Sequence, residues 1–103
     1  MSNSLHASVL LSAQRALLGE VTANLEAVAV AVNDKRITVY FYYRQPATED
    51  EQESANVAAT EILADFSEHD VDDIVVEFGL WPVAGELPNA TWVFMRQQPE
   101  QDG

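Results

Sequence analysis

An α+β fold, with two helices packed on one face of a four-stranded antiparallel sheet, follows from three observations. Two segments carry apolar residues at helical spacing; four are β-branched and aromatic with a period of two; and the six follow one another in the order α-β-β-α-β-β. The chain has 103 residues, 48% of them hydrophobic, which suits one compact domain with its own core and leaves too little for two. Ordered structure is expected over about residues 4–97, with a polar tail over 98–103.

The first helix spans residues 4–19. Ser4 can cap its free amides, and Gly19 can take the left-handed conformation that ends it. Leu10, Ala13 and Leu17, with Leu11 and Leu18, give one apolar stripe, and Arg15 complements the helix dipole near the C-terminal end. Ala27–Val32 and Ile37–Tyr43 are strands joined by the turn cluster Asn33-Asp34-Lys35-Arg36, a hairpin. Val28, Val30 and Val32 share a face, as do Ile37, Val39, Phe41 and Tyr43; Thr38, Tyr40 and Tyr42 face the other way.

Gln45-Pro-Ala-Thr48 breaks the chain, and Thr48-Glu-Asp-Glu51 fits a capping box that opens the second helix. Ala55, Ala58, Ala59, Ile62, Leu63 and Phe66 carry its apolar spacing to about Phe66. A third strand runs from about Asp72 to Phe78, with Ile74, Val76 and Phe78 on one face. Trp81-Pro82 and Gly85–Asn89 make a bend, and Thr91–Arg96 is the fourth strand. The repeated α-β-β order is either coincidental or sets two hairpins side by side in one sheet.

Charge is the most informative feature. There are 17 Asp and Glu against 5 Lys and Arg, a formal net charge of −12. Residues 1–44 carry four basic and three acidic groups, whereas residues 45–77 carry eleven acidic groups and no basic one. Such a surface repels phosphate, so nucleic acid is not a direct partner, and it favours a basic protein. The absence of cysteine removes disulfides, thiolate nucleophiles and cysteine metal sites. The longest apolar run, Ala27–Val32, is far short of the ~20 residues that span a bilayer. No signal-peptide pattern opens the sequence, so a cytoplasmic location without membrane association is expected.

Catalysis finds little support. His6 and His69 stand far apart, Ser8 and Ser12 lie on the first helix, and four glycines make no phosphate loop. The cluster His69, Asp70, Asp72 and Asp73, with Glu68 before it, lacks the spacing of a calcium loop and reads as a solvated connection. We expect no enzyme activity, metal or cofactor. Glu49, Asp50, Glu51, Glu53, Asp65, Glu68, Asp70, Asp72 and Asp73 instead form a candidate docking face on the second helix and the loop after it; the plainer reading is a solvated helix face. Tyr40 and Tyr42 are candidate anchors if the helices cover the opposite face of the sheet, and the same surface would serve homodimerisation. The alternative is that they pack as cross-strand pairs. Trp81 reads as a lid on the core.

The segments Leu10-Leu-Ser-Ala-Gln-Arg-Ala-Leu-Leu-Gly-Glu-Val21, Phe41-Tyr-Tyr43, Glu49-Asp-Glu51 and Thr60-Glu-Ile-Leu-Ala-Asp-Phe66 resemble small bacterial immunity proteins. More narrowly, residues 5–78 are similar to those paired with contact-dependent growth inhibition and related polymorphic toxins. The resemblance implies a cytosolic protein encoded beside its toxin. It would bind the toxin's C-terminal effector domain, often a nuclease, and block the active site or a nearby surface. It transfers no residue as a contact, so the acidic and tyrosine positions rest on charge and chemistry alone. A regulatory adaptor for another basic protein, a homodimer built on the tyrosine face and a carboxylate-pair enzyme remain the alternatives.

Overall fold

The computed structural model describes residues 2–83 and 90–96, with side chains from residue 5 on. They form α1 (Ser2–Ala16), β1 (Leu25–Asn33), β2 (Arg36–Tyr43), α2 (Glu49–Ala64), β3 (Asp73–Leu80) and β4 (Ala90–Met95). The α+β class and the element order match the sequence reading. The bend at Gly85–Asn89 and the tail at 98–103 lie outside the described residues.

The sheet is mixed, which corrects the antiparallel expectation. Its strand order is β3-β2-β1-β4. The β1–β2 hairpin is antiparallel, pairing Val30 with Val39 and Asn33 with Arg36 across a tight turn in which Asp34 is left-handed at φ 56°. β3, however, runs parallel to β2, with Val39 beside Val76 and Tyr40 beside Glu77. The cause is α2. A helix between two strands returns the chain to the end where the first strand began, so the second enters in the same direction. β4 then pairs antiparallel with the far side of β1. β3 and β4 therefore occupy opposite edges, and among the described residues they form no second hairpin.

Both helices cover one face of the sheet. Val28 and Val30 of β1 and Ile37, Val39, Phe41 and Tyr43 of β2 are buried in one cluster with Val9 and Ala13 of α1 and Ala55, Ala58 and Ile62 of α2. α1 begins two residues before the expected cap at Ser4 and ends at Ala16. Gly19, at φ 85°, takes the left-handed conformation in the turn beyond. The buried stripe is Val9, Ala13, Ala16 and Leu17, so Leu11 and Leu18, expected inside, are 59% and 78% exposed. A helix wide in apolar residues can bury only the side that meets the sheet, and Leu11 lies across the helix axis from Val9 and Ala13.

Among the described residues the opposite face carries no helix, yet Ala27 and Ala29 are fully buried on it. Aromatic side chains provide the cover. Tyr40 and Tyr42 of β2 stack with ring centroids 6.3 Å apart. Tyr42 meets Trp92 of β4 at 6.0 Å, and Trp92 meets Trp81 edge-on at 5.7 Å. Small residues on the central strand leave room for rings from the flanking strands to converge over it. Trp81 thus belongs to this layer and does not lid the helical core.

Candidate functional site

Local chemistry fixes how α2 presents its charges. Thr48 caps it, accepting from the Glu51 amide at 3.1 Å, while Glu51 accepts from the Thr48 amide at 2.9 Å; the expected capping box is present. Glu51 also accepts from Thr22 Oγ1 at 3.0 Å and Asn24 Nδ2 at 3.2 Å, which ties the start of the helix to the loop before β1. At the other end Asp65 accepts from buried Ser12 at 2.5 Å and from Arg15 at 3.0 Å, joining α2 to α1. Asp73 accepts from Arg36 Nε at 2.8 Å between β3 and β2. Three of the nine candidate carboxylates are therefore engaged between elements of the fold, and Asp70 accepts only a long bond from nearby Ser67 at 3.5 Å.

The other six, Glu49, Asp50, Glu53, Glu68, Asp70 and Asp72, are exposed, and Glu61 joins them on α2. With a rise of ~1.5 Å per residue, they form a strip along the outer side of α2 and round its C-terminal end. Asp70 reaches the mouth of a cleft of about 590 Å³ between α1 and that end, lined also by Leu11 and Phe66. No lysine or arginine lies on α2 itself, while at its C-terminal end Arg15 lines the same cleft as Asp70, and Lys35 the same pocket as Asp72. Arg15, Arg36 and Arg44 pair with Asp65, Asp73 and Glu26. Arg96 donates to the carbonyls of Leu25 and Thr22. Four of the five cations are thus engaged within the fold, Lys35 being the exception, and the acid surplus faces solvent.

The tyrosines are separated from that strip, since α2 lies on one face of the sheet and Tyr40 and Tyr42 project from the other. Tyr40 is half-buried, but Tyr42 is only 8% exposed, so the expectation of two open anchors is corrected for Tyr42. Its hydroxyl pKa is raised, first by burial and then by the charges of Tyr40 and Glu77. The sequence reading missed Trp92, 41% exposed beside it, and the ion pair of buried Glu26 with Arg44 at 2.8 Å. Glu26 falls at a register shift between Leu25 and Ala27 that alternation alone does not reveal.

Among the described residues, no three His, Asp or Glu side chains gather as metal ligands, and no helix is long and apolar enough to cross a membrane. His6 Nε2 lies 3.1 Å from Thr91 Oγ1, a link between α1 and β4, and His69 is exposed.

The bonds at Glu51 carry a pH dependence. Backbone donation from Thr48, with Asn24 and Thr22, holds its carboxyl below the ordinary range against a smaller desolvation effect. A depressed folded pKa contributes stability above the unfolded value and loses it as pH falls through the folded one. The gap in thermal midpoint between the parent protein and Glu51→Gln is therefore expected to be fully open above the ordinary glutamate range and to close as pH falls through the depressed folded value. Scanning calorimetry across that range checks it; a gap independent of pH would show that the charged form is not what the cap holds.

A protein-family model described as MafI2 immunity protein matches residues 6–98. No curated protein matches the chain.

Proposed function

Since the chain belongs to the MafI2 immunity protein family, we propose that it neutralises its toxin by binding a basic effector domain, a nuclease, through the acidic strip of α2 and the loop that follows. It acts as a cytoplasmic binding protein of a contact-dependent or related polymorphic toxin system, without catalysis or cofactor. The observation that carries this reading is the unneutralised outer side of α2, where Glu49, Asp50, Glu53 and Glu61 are exposed and no lysine or arginine interrupts them. A nuclease must present cations to phosphate, and a continuous negative surface competes for the same groove. Complementary fields also speed encounter, which suits a protein that must capture a toxin before it acts.

Glu53, Glu61 and Glu68 are exposed and accept no hydrogen bond among the described residues, so reversing them leaves the fold's own network intact. The triple variant Glu53→Lys, Glu61→Lys, Glu68→Lys is expected to slow association with the toxin domain about tenfold or more at low salt, with the difference shrinking as salt rises. Stopped-flow binding and protection of toxin-expressing cells read the effect. Association and protection equal to the parent's would exclude the α2 strip as the docking face.

A further inference from the structure

The helix-free face of the sheet has a charge pattern of its own. Along β2 its residues run Arg36, Thr38, Tyr40 and Tyr42, with Arg44 just beyond the strand. The arginines at the two ends are matched, Arg36 by Asp73 and Arg44 by Glu26. In the middle stands Glu77 of β3, beside Tyr40 in the register, exposed and without a cationic partner among the described residues. Next to it the aromatic layer is closed below by alanines and open above. Tyr40 is half-buried and Trp92 is 41% exposed.

We propose that this face binds an arginine side chain of a basic protein partner, the guanidinium lying on the Tyr40 ring and pairing with Glu77. The proposal rests on the reading of the partner as a basic toxin domain and adds a second contact, on the side of the molecule away from α2. A planar, weakly hydrated cation stacks on an aromatic face and forks to a carboxylate at once, and an ammonium does this less well. Charge complementarity also selects the occupant. A second copy of this chain would bring another −12 and another Glu77 against the first.

The test uses a hexa-arginine peptide and the intact protein. The chain has only two tryptophans, Trp81 and Trp92, both in this layer, so intrinsic fluorescence reports this face and not α2. Saturable change in tryptophan emission is expected with hexa-arginine and a weaker response with hexa-lysine. Glu77→Gln and Tyr40→Leu should each raise the midpoint about two- to fivefold. The triple reversal on α2 should leave the amplitude at saturation unchanged. An unchanged midpoint in Glu77→Gln and Tyr40→Leu, or no emission change at all, would overturn the arginine site while leaving the α2 reading intact. Sedimentation showing a dimer, with emission that depends on protein concentration, would overturn it in favour of a second copy on this face. Loss of α2 docking with the emission response retained would instead separate the arginine site from the toxin reading.

Discussion

Ile62→Ala is expected to lower the unfolding free energy by about 2–5 kcal/mol, toward the upper end of that range. Ile62 is 1% exposed, and the other buried positions of α2 are Ala55, Ala58 and Ala59. The helix thus seats on the sheet with a single large, fully buried side chain among three methyl groups. Removing it deletes the largest fully buried side chain of α2, leaving the three alanines and partly buried Leu63 to hold the helix. The alanines also bring the helix close to the strands, and a cavity there can shrink only by moving the whole helix. Against a stability of roughly 5–15 kcal/mol for a domain of this size, the loss is large. Urea denaturation checks it, with the midpoint falling and the slope unchanged; a loss under about 1 kcal/mol would mean that α2 resettles freely.

Gly79→Ala is expected to cost about 1–3 kcal/mol although Gly79 has an ordinary backbone conformation and the substitution adds one methyl group. A Cβ built there would sit 2.8 Å and 2.9 Å from two carbons of the Tyr42 ring. That ring has little freedom to retreat, being stacked on Tyr40 and held against Trp92. The strain must therefore spread through the aromatic layer, so the variant should lower the thermal midpoint and alter tryptophan emission together. An unchanged midpoint would show that Tyr42 moves aside without disturbing its neighbours.

What could be read in advance was whatever depends on near neighbours in the chain. Thr48 and Glu51 announce the start of α2 because both halves of a capping box lie within one turn. Asn33–Arg36 announces the hairpin for the same reason. The direction of β3 was missed because Ile74, Val76 and Phe78 alternate identically whichever way the strand runs; the signal lay in the helix before it, the usual link between parallel strands. The engagement of Asp65 and Asp73 was not legible either, since Arg15 and Arg36 meet them only once the chain has folded. The burial of Tyr42 had a partial signature in Ala27-Val-Ala-Val-Ala-Val32. Small residues on one face of a strand and large ones on the other mark a side where neighbouring rings can lie down. What lay beyond local reading was Trp92, which supplies the other half of that cover from β4.

The place of β4 bears on how the chain folds. β1 pairs with β2 across a tight turn, so that ladder closes a very short loop. On its other side β1 pairs with β4, setting Val28 beside Phe94 from near the opposite end of the chain. Closing the longer loop removes more chain entropy, and contacts between residues distant in sequence slow folding. Trp92 arrives with that distant strand. The aromatic layer over the alanine row is therefore sealed by the pairing that is entropically hardest to make.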